Sequence, residues 1–229
     1  MKPNLESSIY RIRFSEQEMA QARAFWRPIC RYLQRYVDPQ GVTLDLGAGP
    51  CHFINNIASR EKLALDINAE NLRLYAAQNV RCIEATGADL TGIESGSVDA
   101  VFASNVYEHF PSREDVARSL EEVYRVLRPG GRLIVLQPNF AYCAKQYFDF
   151  FDHRLIFTHK GMAEGLAISG FQLEHVTARF LPYTSKSGLP TASWMVSMYL
   201  SFPPVWRFLG GQMLLVGVKP GPGGSTHGN

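Results

Sequence analysis

The chain has 229 residues, 46% hydrophobic and 19% charged, enough apolar material to bury the core of one α/β domain with room for insertions. A formal net charge of +2, with no long run of either sign, gives no electrostatic footprint for nucleic acid. Cys30, Cys51, Cys82 and Cys143 lack any Cys-x-x-Cys pairing or metal-ligand spacing, so they read as reduced thiols with no zinc site; no stretch reaches the about 18 apolar residues that span a bilayer, and the expected location is cytoplasmic.

Ala22, Phe25, Trp26, Ile29, Leu33 and Tyr36 recur at helical steps and predict a helix from about Ser15 to Val37, kinked or split at Pro28. It forms an N-terminal extension, 1–40, that lies over a ligand mouth or packs on a sheet, and Arg11, Arg13, Arg23, Arg27, Arg31 and Arg35 read as its solvated face. Asp38-Pro-Gln-Gly41 stops it. Thr43-Leu-Asp-Leu-Gly-Ala-Gly49 is an apolar strand running into a small-residue turn, where Gly47 and Gly49 permit positive φ and a helix starting near Cys51 aims its N–H groups at a ligand. Asp45 at the mouth of that turn suits a cationic ligand end better than a pyrophosphate. Helix His52 to Ser59, strand Lys62 to Asp66, helix Asn68 to Gln78 and strands Val80 to Glu84 and Val98 to Ala103 then alternate as in a parallel sheet.

Ser112 and Asp115 form a capping box for a helix from Arg113 to Leu127, whose buried stripe is Val116, Leu120, Val123 and Leu127. Strand Arg132 to Gln137, a helix capped by Thr158 and ended by Gly170, strand Phe171 to Phe180 and strand Gly211 to Lys219 complete a domain at 41–219. Two insertions interrupt it: the aromatic segment 140–157, expected to cap an acceptor pocket, and the apolar segment 181–209, too long for a turn. The tail 220–229, rich in glycine and proline, is expected to be disordered.

Five blocks in order, Thr43 to Gly49, Leu63-Ala-Leu-Asp66, Gly87-Ala-Asp89-Leu90, Ser97 to Asn105 and Leu127 to Leu136, resemble the class I S-adenosylmethionine-dependent methyltransferases of the type 11-like kind. The resemblance implies an α/β fold: a doubly wound, Rossmann-like, mostly parallel sheet of seven strands with an antiparallel last strand. It implies S-adenosylmethionine as cofactor, with Asp45 and the Gly47-Ala48-Gly49 backbone at the methionine amino end and Asp66 on both ribose hydroxyls, Ile67 beside it in the same set. Asp89 and the Leu90 N–H would read adenine, and Ser104 and Asn105 would line the methionyl side. Asp45 and Asp66 could instead cap the helices that follow them. Cys51 stands where the family has a third glycine.

The implied reaction is in-line methyl transfer to an oxygen or nitrogen of a small or a lipid- or glycan-linked acceptor. The Phe-Asp-Phe-Phe-Asp-His block and the apolar insertion are similar to bacterial methyltransferases of glycan or lipid pathways, and peripheral membrane contact is open. His153, with Asp152 beside it as an orienting carboxylate, and His109 are the candidate bases. Tyr142, Tyr147, Phe148, Phe150 and Phe151 either form an apolar acceptor pocket or are ordinary core. Two alternatives stand: a nicotinamide oxidoreductase, disfavoured by His52 where a dinucleotide turn wants its last glycine, and a cofactor-binding protein without turnover.

Overall fold

The computed structural model describes residues 16–183 and 192–221. Ser15, Arg11, Arg13 and the tail beyond Gly221 lie outside the described residues. Seven strands form one sheet: β1 (Val42–Leu46), β2 (Glu61–Asp66), β3 (Val80–Glu84), β4 (Val98–Ser104), β5 (Leu127–Pro138), β6 (Gln172–Thr177) and β7 (Gln212–Val218). Their order is β3-β2-β1-β4-β5-β7-β6; β7 enters between β5 and β6 and runs antiparallel to both, and all other pairs are parallel.

Strand periodicity divides the core. Leu44, Leu46, Val101, Ala103, Leu133 and Val135 face α4 (Arg113–Val126) and α6 (His159–Ile168). Ala64, Ala100, Phe102, Ile134, Leu136 and Leu214 pack in the second core cluster, with side chains of α1 (Glu16–Leu33), α2 (His52–Asn56) and α7 (Ser193–Ser201). Both faces are covered, as the apolar strands of a parallel sheet require.

The capping box forms as expected, with Ser112 Oγ accepting from the Asp115 N–H at 3.1 Å. Thr158 likewise accepts from Gly161, and Gly170 ends α6 at φ +91°. Of the kink or split expected at Pro28, the split does not occur: α1 runs through it. Burial of Ile29, Cys30 and Leu33, with Trp26 edge-on to Phe102 at 6.0 Å, outweighs one lost helix bond. The sequence Arg128 to Gly131, expected to separate helix from strand, is already in β5, where Leu127 pairs Val98 before a register shift to Ala100 and Arg132.

The 140–157 insertion opens with α5 (Phe140–Tyr147), capped by Asn139. The 181–209 insertion carries α7 and the short α8 (Trp206–Leu209), and it divides its apolar residues. Val196, Leu200 and Trp206 pack in the same core as Ile29 and Leu33, whereas Trp194, Met198 and Phe202, four positions apart, form an outward stripe that is 60–66% exposed.

Candidate active site

The order of strands reverses between β1 and β4, and in a doubly wound sheet the crevice beyond the carboxyl ends at that point is where ligands bind. The expected cofactor residues gather there from the ends of β1, β2 and β4. Gly47, Gly49 and Cys51 all adopt positive φ, at +68°, +48° and +57°. The family's third glycine is thus replaced by a residue that still takes the left-handed conformation. A Cβ on Gly47 would lie 2.2 Å from Val106 Cγ2, so this turn and the segment after β4 are in direct contact.

The amides of the turn are already bonded within the protein. Gly47 and Ala48 N–H groups bond Leu65 O at 2.8 and 3.0 Å, and Gly49 N–H bonds Asp66 Oδ2 at 2.7 Å. Asp66 also accepts from Asn68 N–H at 2.7 Å, so it braces the turn and the entry of α3 (Ala69–Tyr75). Each oxygen keeps a further lone pair for a hydroxyl donor. Ile67, beside it, is 48% exposed.

Asp45 is buried beneath the turn and accepts from Ile54 N–H at 3.3 Å. Burial pushes its carboxyl up to about 8, against the pull of the Ile54 bond, with Asp66 adding to the rise. The stability of its protonated form is complete below the unfolded value near about 3.9 and lost as pH rises through about 8. Asp45→Asn, which keeps an acceptor oxygen, should escape that loss. In thermal unfolding from about pH 5 to about pH 8.5, its stability relative to wild type is expected to climb; parallel curves would mean an ionised carboxylate throughout.

Beyond β3 one of the expected donors is already bonded within the protein. Leu90 N–H, expected to read the ring, bonds Glu122 Oε2 at 3.2 Å, and Leu90 is buried. Asp89 is exposed and accepts from the Thr91 hydroxyl and N–H at 2.7 and 3.1 Å, which hold its carboxyl below the usual range. At the end of β4, Ser104 Oγ is buried without a hydrogen-bond partner among the described residues. Asn105 follows at φ +49°, exposed, its N–H bonded to Leu136 O. An orphan hydroxyl at this crevice fits a polar ligand edge.

Beyond Asn105 the chain makes a 3-10 turn, Tyr107–His109, and the Glu108 carbonyl accepts from the Arg154 and Leu155 N–H groups at 2.8 and 3.1 Å. That clamp brings the 152–155 segment over β4. Asp152, expected to orient its neighbour His153, places its carboxylate 3.4 Å from His109 Nδ1 and its carbonyl oxygen at 3.1 Å from the same atom. His153 lies edge-on to His109, with ring centroids 5.1 Å apart, and stacks on Phe150 at 5.1 Å. Between them is Glu108, a residue with no expected role. It is fully buried, neither carboxylate oxygen has a hydrogen-bond partner among the described residues, and burial pushes its carboxyl up to about 7.

The five aromatics of the insertion do not form one pocket. Tyr147 is core, its hydroxyl donating to Leu155 O and its ring 4.6 Å from that of His153; Tyr142, Phe148 and Phe151 are 45%, 60% and 84% exposed; and Phe150 stacks on His153, with Tyr183 edge-on to Phe150 at 5.7 Å.

A seven-stranded doubly wound sheet with acids and glycines at the carboxyl ends of β1 and β2 defines a nucleotide-cofactor crevice. Residues 44–135 match the family described as a methyltransferase domain. The chain is 35% identical over 109 residues to the malonyl-[acyl-carrier protein] O-methyltransferase of Methylococcus capsulatus, a match covering 42% of this chain and 36% of that protein. It is 36% identical over 93 residues to an uncharacterized methyltransferase of Mycobacterium tuberculosis, covering 39% and 37%. Matches to the curated relatives cover between 3% and 37% of their length. Among solved structures, a SAM-dependent methyltransferase from Archaeoglobus fulgidus has the same fold, with a TM-score of 0.65, 16% identity and coverage of 94% of this chain and 100% of that one. Over residues 44–135 the chain is thus similar to methyltransferase domains.

Proposed function

We propose that the protein transfers a methyl group from S-adenosylmethionine to an oxygen or nitrogen of a small or lipid- or glycan-linked acceptor. The observation that carries this reading is the crevice at the sheet's switch point, where a positive-φ glycine turn, the Asp66 carboxylate and the orphan Ser104 hydroxyl converge in a methyltransferase domain. S-adenosylmethionine supplies a methyl on positively charged sulfur; the S–C bond breaks with its electron pair left on sulfur as the acceptor's lone pair bonds the methyl.

The chain's residues have to bind and align. Asp66 accepts the ribose hydroxyls on its remaining lone pairs, Ile67 covers the nucleoside, Asp89 receives the adenine amine, and Ser104 with Asn105 lines the methionyl side. Asp45, in its ionised form, would hold the ammonium end. Alignment in such a site is worth about 7–11 kcal/mol. His153, His109 and Asp152 face the acceptor side together with Phe150, and His153 is the group for the acceptor's proton.

A lipid-linked acceptor is supported by the outward Trp194, Met198 and Phe202 stripe, an apolar surface of the kind that marks a contact site. The test is calorimetry with S-adenosylhomocysteine and NADH in separate titrations, followed by a screen for S-adenosylhomocysteine formation over phenols, amines, sugars and vesicle-borne hydroxylated lipids. The sulfur nucleoside is expected to bind and one acceptor class to turn over. NADH binding without a response to the nucleoside would overturn the reading, and binding without turnover on every class would leave a non-catalytic cofactor binder.

A further inference from the structure

We propose that Glu108, His109 and His153 form a binding site for one divalent transition cation of the zinc, cobalt or manganese kind. One donor atom from each of the three lies within 4.8 Å of the other two. A cation with bonds of about 2.0–2.2 Å holds its donors roughly 3.3–3.6 Å apart. The closing movement needed is therefore at most about 1.2–1.5 Å, shared among three side chains.

The strongest pointer is Glu108. Its carboxylate is fully buried with both oxygens unpartnered among the described residues, and burial of such a group is costly unless it is paired or coordinates a metal. The surrounding shell is in place. Asp152 approaches His109 Nδ1 with its carboxylate and its carbonyl oxygen, which holds that ring in place, as carboxylates orient ligating imidazoles in metal sites. The Arg154 and Leu155 N–H groups clamp the Glu108 backbone, so the segment carrying His153 is tied to the one carrying the other two ligands.

Two imidazoles and one carboxylate are borderline donors that suit zinc-like ions over magnesium or calcium, and three protein ligands leave an open coordination position. The site is formed without any of the cysteines, so their spacing could not announce it. Its place beyond the end of β4, on the acceptor side of the crevice, gives that open position a use: it can hold an acceptor oxygen and lower its pKa, and with the ion bound His153 is a ligand in place of a base. This use alone rests on the proposed methyl transfer. Ion binding does not.

The experiment is titration of the untagged full chain with Co2+, followed by calorimetry and by visible absorbance. Wild type is expected to bind one equivalent with the d–d bands of a four- or five-coordinate ion, and Zn2+ should displace it. Glu108→Gln should weaken binding by about tenfold or more, and the double variant His109→Ala/His153→Ala should abolish it, each with unchanged affinity for S-adenosylhomocysteine. Because both histidines are only partly buried, the double variant decides the matter even where Glu108→Gln unfolds. Co2+ bound as tightly by the double variant, or no binding by wild type at about 1 mM, would overturn the site. A chain that bound Co2+ and not the nucleoside would overturn the methyl-transfer reading and leave the metal site standing.

Discussion

Gly47→Val is expected to remove detectable binding of both S-adenosylmethionine and S-adenosylhomocysteine. Two independent effects act in that direction. Gly47 sits at φ +68°, where a β-branched residue is disfavoured by about 1–2 kcal/mol or more. Its new Cβ would also lie 2.2 Å from Val106 Cγ2, and something must shift. Val106 precedes the turn that carries Glu108 and His109, and it follows Asn105, itself held at φ +49°. Displacement of Val106 therefore disturbs the cofactor turn and the acceptor side together. The obstruction at Gly47 is thus a contact with the protein itself. Gly47→Ala carries the same clash with less backbone strain, so it should retain a folded chain in which nucleoside affinity is measurably reduced. Wild-type affinity in a folded Gly47→Val variant would mean that this turn is not the cofactor's.

Legibility in the sequence followed the range of the interaction. The strands β1 to β4 were readable because a buried parallel sheet demands short apolar runs, and α4 because Ser112 and Asp115 meet within one turn. The family resemblance rested on the same local blocks. What the sequence hid depends on partners far along the chain. The Leu90 amide is taken by Glu122, 32 positions away, and Asp152 serves His109, 43 positions away, although His153 is its neighbour. Glu108 carried a local signal, an ionisable residue four positions beyond the end of β4. Its burial without a partner, which gives it meaning, arises only when the 152–155 segment folds over it. The aromatic segment stayed open between pocket and core for a related reason. Composition could not separate Tyr147, which is core, from Phe151, which is almost fully exposed, since both lie in a segment whose course is set by Asn139 and the Glu108 clamp rather than by its own periodicity.

Asp66→Ala is expected to weaken nucleoside binding by about 1.5–3 kcal/mol, the scale of charge-assisted hydrogen bonds. The structure gives this residue two occupations, which the measurement has to separate. Its oxygens already accept from Gly49 and Asn68 N–H at 2.7 Å each, so the variant also loosens the turn and the entry of α3. Loss of affinity alone would not distinguish a ribose partner from a brace. A cycle over protein and ligand does: wild type and Asp66→Ala are each titrated with S-adenosylhomocysteine and with its 2′-deoxy analogue. A carboxylate that accepts the ribose hydroxyls makes the deoxy analogue weaker for wild type and nearly equivalent for the variant, because the group that senses the hydroxyl is gone. A brace that touches no ligand would give the same ratio of affinities in both proteins. The fold itself should survive, since Asp66 lies at the half-exposed end of β2 and both freed amides can turn to water. A shared ratio would assign Asp66 to shaping the turn and move the ribose contact elsewhere, whereas the expected divergence ties the carboxylate at the end of the second strand directly to the cofactor.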